Sequence, residues 1–275
     1  MWDPRFLPLL YEDLGLRPGI TVVDVGCGTG FFTRLVAKGM KDQGHVIGVD
    51  IDEKLLRHAK QLSARESLDS VVYKKGNAYD IPFPDNYADL TVSHMLLHWL
   101  KDPIRAIEEM RRITKVGGRV AAINNHADIS YDPSNPRFNE LNAKFDEAFT
   151  RGTFIVDGCD SIIARKLPAL LKQAGLKEIR ANGYATLGLV GDATISKKER
   201  QERWRESLEV TKRHPERRER ELRYALAGGM LAGECNEYLD LRLQMLEKWA
   251  GDTEAASNDM TLSAYMIIVA SGRRR

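Results

Sequence analysis

The sequence predicts an α/β protein: a mostly parallel sheet with helices on both faces, carrying a helical insertion before its last strand. Three observations predict it. Short β-branched runs alternate with amphipathic helical stretches along most of the chain. The first such run enters a helix through the glycine-rich turn DVGCGTG, residues 24–30. Two long segments, 125–160 and 191–256, break the alternation, and the second is mostly helical by composition.

The elements follow in order. Ile20–Val25 is a continuous apolar run, as a strand buried on both faces requires. Gly30–Met40 brings Phe31, Phe32, Leu35 and Val36 round at helical spacing. Gly44–Asp52 is a second strand ending in acids. Glu53–Glu66 is a helix with Leu55, Leu56, Ala59 and Leu62 on one face, and Asp52 suits its N-cap. Asp69–Ala78 is the third strand, Tyr87–Met95 the fourth, and Pro103–Thr114 the helix after it. Gly117–Asn124 is a fifth strand entered through a glycine turn. Ala164–Leu176 is a helix despite Pro168, Lys177–Ala185 a sixth strand, and Thr261–Ser271 the last. Within the second interruption, Leu208, Leu222, Tyr224, Leu226, Leu239, Leu241, Leu243, Met245, Leu246 and Trp249 are the inward candidates.

Composition narrows the class. A chain of 275 residues holds one large domain, or one domain with a sizeable insertion, and 43% hydrophobic residues support a core for it. The net charge of +2 gives no electrostatic reason to expect nucleic acid. The basic run Lys197–Arg223 is laced with glutamates, the pattern of a solvated helix. The terminal GRRR reads as a frayed tail. The first ten residues lack the pattern of a signal peptide, and no stretch is long and apolar enough to span a membrane. Cys27, Cys159 and Cys235 are odd in number and far apart, so they make neither a disulfide framework nor a zinc pattern. The expectation is a cytoplasmic protein without a metal.

The turn carries the chemistry. Glycine in an ordered turn costs about 0.5–1 kcal/mol relative to alanine, so something must approach that backbone closely. A dinucleotide fingerprint needs a third glycine where Phe31 stands. A P-loop needs a Gly-Lys-Ser/Thr ending, which is absent. The pattern that fits is D-x-G-x-G-x-G, and it resembles the first motif of class I S-adenosylmethionine-dependent methyltransferases.

The resemblance extends further. From about Leu16 to Ala185, with a last strand near Thr261–Ser271, the chain is similar to the group containing the ubiquinone/menaquinone-biosynthesis and trans-aconitate methyltransferases. It implies a Rossmann-like seven-stranded sheet whose last strand is antiparallel. It implies S-adenosylmethionine as the methyl donor and S-adenosylhomocysteine as the product. Gly26, Gly28 and Gly30 would admit the methionine part of the cofactor, and Asp24 would fix the turn or reach the ligand's amino group through water. Cys27 belongs to this cofactor turn, with its thiol a small filler. Asp50, twenty residues after Gly30, suits the paired ribose hydroxyls. Ile51 would lie against the adenine face. The stretch GNAYDIPFPDNYAD, residues 76–89, resembles the family's GDA-x-x-LPF-x-D-x-x-FD, with Asn77 for the usual Asp and Ala88 for the usual Phe. Asn77 would accept from the adenine amino group, the backbone of Ala78 would meet a ring nitrogen, and Asp80 would satisfy the loop.

The stretch SHMLLHWLKDP, residues 93–103, matches the family's fourth motif. It lacks the Asn/Asp-Pro-Pro-Tyr run of base-amino methylases and the Pro-Cys nucleophile of cytosine C5 chemistry. Ser93 would sit under the sulfonium. His94 and His98 are the candidate general bases, and Trp99 a pocket wall or core filler. The functional expectation is in-line methyl transfer to a small-molecule acceptor. An RNA or protein methyltransferase, and a cofactor-binding protein that does not methylate, are the alternatives. Residues 1–190 and 257–275 would form the cofactor-binding core. Segments 125–160 and 191–256 would be lids, the first offering His126, Tyr131, Phe138, Phe145 and Phe154 to an acceptor pocket. Monomer and homodimer are both open.

Overall fold

Parallel strands buried on both faces read as near-continuous apolar runs, and Val22, Val23 and Val25 of the first strand and Val46, Ile47 and Val49 of the second are buried here. In the computed structural model, which describes residues 3–275 save the side chains of 127–129, β1 (Thr21–Val25), β2 (His45–Asp50), β3 (Val71–Lys75) and β4 (Ala88–His94) form one half of a seven-stranded sheet, with β3 at its edge. β5 (Thr114–Tyr131), β6 (Lys177–Leu189) and β7 (Leu262–Arg273) complete it in the order β3-β2-β1-β4-β5-β7-β6. β1 pairs in parallel with β2 and with β4, β2 with β3, and β4 with β5. β7 runs against β6, since Val190 meets Thr261 while Lys177 meets Gly272. The order reverses between β1 and β4, so the carboxyl ends of those two strands open a crevice.

The chain divides into two compact units. The first comprises residues 1–126, 162–184 and 267–275. Its helices are α1 (Leu7–Leu14), α2 (Phe31–Gly39), α3 (Glu53–Arg65), α4 (Pro103–Ile113) and α6 (Ile163–Gln173). Val23, Val25, Ile47 and Val49 of the sheet pack with Ile107, Met110 and Ile113 of α4 and with Leu167 and Leu171 of α6. Asp52 caps α3 as its position predicts, its Oδ1 accepting from the N–H groups of Lys54 at 2.7 Å and Leu55 at 3.3 Å. Pro168 sits inside α6 without ending it. α1 carries Leu10 and Leu14 into the core. The terminal arginines are not a frayed tail. Arg274 N–H donates to Gly118 O at 3.0 Å and its carbonyl accepts from Gly117 N–H at 2.7 Å, so the chain end continues the sheet.

The second unit comprises residues 127–161 and 185–266. It contains α5 (Pro136–Asp157), α7 (Lys197–Arg213), α8 (Pro215–Ala227), α9 (Ala232–Gly251) and α10 (Thr253–Asn258). Its core is Phe138, Leu141, Phe145 and Ala148 of α5 against Ala225 of α8 and Cys235, Tyr238 and Leu239 of α9. Gly152 and Gly228 let α5 and α8 touch backbone to backbone: a Cβ on Gly152 would strike the carbonyl of Tyr224, and one on Gly228 that of Ala148. Phe138 and Phe145 are therefore core fillers, with Phe145 and Tyr238 rings 4.5 Å apart, and not the open pocket lining expected of them. Tyr131 and Phe154 are exposed, and so is Leu226, an expected inward residue. α7 and α8 are largely solvated, with Arg213–Glu209 paired at 2.7 Å. On α7, Arg200 is buried, donating to Ser257 Oγ at 2.6 Å and to two carbonyls.

Candidate functional site

The site lies wholly within the first unit. β1 ends in the glycine turn, whose three glycines all take left-handed backbone: φ is 73° at Gly26, 54° at Gly28 and 72° at Gly30. The turn is tied to β2 because Gly26 and Cys27 both donate to Val49 O, at 2.7 and 3.0 Å. The three glycines differ in what a side chain would meet. At Gly26 a Cβ would come within 2.6 Å of Leu96, and at Gly30 it would collide with the Tyr73 hydroxyl. At Gly28 it would meet nothing within 4 Å. Close packing explains the first and third glycines, while Gly28 faces open space.

Asp24 is fully buried at the end of β1. Its Oδ2 accepts from the Thr33 hydroxyl at 2.6 Å, and its Oδ1 has no partner. Burial raises its pKa to about 7 against the Thr33 hydrogen bond, and the nearby Asp50 charge adds to the rise. Asp50, at the end of β2, accepts from Gly28 N–H at 2.8 Å and from Asp52 N–H at 2.9 Å. Each oxygen thus holds one backbone donor and keeps a lone pair for a hydroxyl. Ile51 beside it is 66% exposed, an apolar side chain in an otherwise polar loop. Asn77 Oδ1 accepts from Tyr79 N–H at 3.0 Å, and Asn77 O accepts from Asp80 N–H at 3.0 Å. Ala78 packs against the core. The Cys27 thiol is buried against Gly48, which pushes its pKa up and makes it a filler.

β4 brings Ser93 next to the turn, since Val25 pairs with Ser93 in the sheet. The Ser93 hydroxyl is buried without a partner. His94 stacks on Phe32 with centroids 4.7 Å apart, and burial lowers its pKa to about 4. Met95 follows with φ of +57°, a left-handed residue without glycine's freedom. A 3₁₀ turn, Leu97–Trp99, then carries His98, whose Nδ1 lies 2.6 Å from Asn124 Nδ2. Trp99 is 59% exposed and so is no core filler. His126 Nε2 accepts from Arg165 Nε at 3.1 Å, and its pKa is lowered by burial and by that guanidinium. Asn124, Thr33 and Leu96 bear on the site without any sequence signal: each matters only once its neighbour is known.

These observations fit an adenosylated amino acid. A fully buried carboxylate with an orphaned oxygen suits an ammonium group, and a carboxylate with two spare lone pairs suits a diol. The Gly28 opening leaves the backbone approachable. The comparisons agree. Residues 23–122 match the family model described as a methyltransferase domain. Over these residues the chain is thus similar to methyltransferases. It is 32% identical to a demethylmenaquinone methyltransferase of Staphylococcus aureus over 145 residues, which are 53% of this chain and 56% of that one. The chain thus spans about half the length of the curated relatives it matches. Among solved structures, the fold is shared with the YcgJ protein of Bacillus subtilis at a TM-score of 0.56 and 16% identity, over 99% of this chain and 100% of that one. A phosphoethanolamine N-methyltransferase 2 of Haemonchus contortus, solved with S-adenosyl-L-methionine, gives 0.53 and 15%, covering 99% and 53%.

Proposed function

We propose that the protein transfers a methyl group from S-adenosylmethionine to a small-molecule acceptor. The observation that carries this reading is the orphaned Asp24 Oδ1 at the end of β1, taken with the open face of Gly28 in the turn that follows. When bound, the cofactor supplies an electrophilic methyl on a sulfonium. Asp24 would hold the ligand's ammonium, Gly26, Cys27, Gly28 and Gly30 would bring backbone close to it, and Asp50 would take the ribose hydroxyls. Ile51 would cover the adenine face, Asn77 and Ala78 its edge, and Ser93 would lie beneath the sulfonium. His94 and His98 would border the acceptor. Displacement at a sulfonium disperses charge, so these residues act mainly by orientation, which can supply about 7–11 kcal/mol.

Calorimetry with S-adenosylhomocysteine, followed by a mass-shift screen of acceptors, tests the reading. A demethylmenaquinone analogue with a short tail is the first acceptor to try, because of the relative named above. Binding together with a one-methyl mass gain supports it; no binding at all refutes it.

The second unit has a core of its own, and the part we infer for it is acceptor selection. Limited proteolysis of 191–256 should slow when cofactor and acceptor are both present; unchanged cleavage would remove that role. A cytoplasmic setting is supported by three free buried cysteines, and no helix among the described residues is long and apolar enough to cross a membrane.

A further inference from the structure

Two loops of the first unit leave the carboxyl ends of β3 and β4. The loop after β3 holds Asn77 and Ala78, which the reading above sets against adenine. The loop after β4 passes through the 3₁₀ turn Leu97–Trp99 to Asp102, the N-cap of α4, and would border the acceptor. One side chain joins them.

The first loop is a tight turn. Asn77 O accepts from Asp80 N–H at 3.0 Å, and Asn77 Oδ1 accepts from Tyr79 N–H at 3.0 Å. Asn77 therefore sets where Tyr79 stands. An amide oxygen has two lone pairs, so Asn77 Oδ1 can hold Tyr79 and still take an amino group. Tyr79 is half-buried against the core of the first unit, and the Arg105 guanidinium lies over its ring, 5.3 Å from the centroid. Its hydroxyl oxygen accepts from Asp102 N–H at 3.1 Å, across 23 residues of sequence.

Asp102 is a junction. Its Oδ1 accepts from Arg105 N–H at 3.1 Å and so opens α4. Behind it, Trp99 N–H donates to Leu96 O at 2.9 Å and Leu100 N–H to Leu97 O at 3.2 Å. Such a 3₁₀ turn is held by poorer hydrogen bonds than an α-helix, so an anchor at its far end counts. The Tyr79 phenol supplies one where the turn hands over to α4.

We propose that Tyr79 is a positioning residue that couples the two loops, so that a cofactor held by Asn77 stiffens residues 97–102 on the acceptor side. The inference rests on the methyltransferase reading and extends it. Cofactor and acceptor then tighten each other's binding, because the second to arrive finds part of the ordering already done.

Hydrogen exchange read by NMR tests this, with S-adenosylhomocysteine as the probe and Tyr79→Phe as the variant. Phenylalanine keeps the ring under Arg105 and removes only the accepting oxygen. In the wild type, saturating ligand should slow exchange of the Trp99, Leu100 and Asp102 amides about tenfold, inside the usual span of coupling between sites. Tyr79→Phe should bind the ligand with wild-type affinity while those amides keep their ligand-free rates, and its Asp102 amide should exchange faster than the wild type's from the start. A residue that only stabilised the fold would not separate affinity from ligand-dependent slowing in this way. Equal slowing in Tyr79→Phe overturns the proposal, as does a wild type that binds the ligand without slowing. A wild type that does not bind S-adenosylhomocysteine strikes the methyltransferase reading itself, and the coupling with it.

Discussion

The imidazole of His94 lies flat on the ring of Phe32, with planes 5° from parallel and centroids 4.7 Å apart. The contact buries a titratable ring between strand and helix, and its pKa falls from 6.5 to about 4. The folded state then binds fewer protons than the unfolded state between those two values. Stability from this group is complete above about 6.5 and is lost as pH falls toward 4. His94→Phe keeps the stack without the titration. It should reduce the acid-side loss by about 2 kcal/mol, taken from 1.36 kcal/mol per unit with a discount for partial burial. Urea unfolding at stepped pH measures it, and parallel curves for both proteins would discount the stack as the cause.

Asp24 should act in the opposite direction. Its pKa rises from 3.8 to about 7, so the folded state holds the extra proton. Stability from this group is present below about 4 and falls as pH rises through 7. A cationic ligand that pairs with the carboxylate must expel that proton. Binding of S-adenosylmethionine near pH 6 should therefore release up to about one proton and tighten as pH rises. Titration calorimetry in buffers of different ionisation enthalpy reads the count. Asp24→Asn should abolish it, and proton release of the same size from that variant would move the assignment elsewhere.

The three glycines of the turn should separate fold from binding. Gly26→Ala and Gly30→Ala press against Leu96 and Tyr73 and should destabilise by about 1–3 kcal/mol, as overpacking does. Gly28→Ala meets open space, so only its left-handed backbone, near 1 kcal/mol, opposes folding. It should fold and bind S-adenosylhomocysteine poorly. Asp50→Ala should weaken binding by about 1–3 kcal/mol and also release the Gly28 and Asp52 N–H groups. Wild-type affinity in both Gly28→Ala and Asp50→Ala would place the cofactor elsewhere.

The contrast among these residues shows how far the sequence could be read. Periodicity alone located the alternating strands and helices, because apolar runs and helical stripes are local. The D-x-G-x-G-x-G turn and the Asp52 cap were legible for the same reason. Asn124 was not, because the β4–β5 pairing brings it to His98 from 26 residues away. Leu226, Tyr131, Phe154 and Trp99 were expected to be inward or pocket-lining, and the structure exposes them: apolar identity does not determine burial at positions near a helix end or strand margin. β5 runs on to Tyr131 although the polar stretch after Asn124 gives no strand signal.

The last residues offer the final prediction. Run together, three terminal arginines look like a solvated tail, yet Arg274 reaches back across the first unit. Its Nη1 donates to Arg111 O at 2.8 Å, to Arg112 O and to Thr114 O at 2.7 Å. Arg111 and Arg112 lie in the last turn of α4, where Arg111 O also accepts from the Thr114 N–H and Arg112 O from the Asn86 N–H at 3.2 Å. The guanidinium therefore caps α4 at the point where the chain enters β5. Arg274→Ala should cost about 1–3 kcal/mol, the range for charged hydrogen bonds to buried carbonyls, and lower the midpoint of thermal unfolding by about 2–4 °C per kcal/mol. Arg274→Lys keeps the charge on a differently shaped head group, and should fall between. Deleting Arg275 alone removes only an exposed pair with Glu178 and should change little. Calorimetry on the three variants decides it. An Arg274→Ala protein that melts with the wild type would show that water satisfies those carbonyls as well as the arginine does.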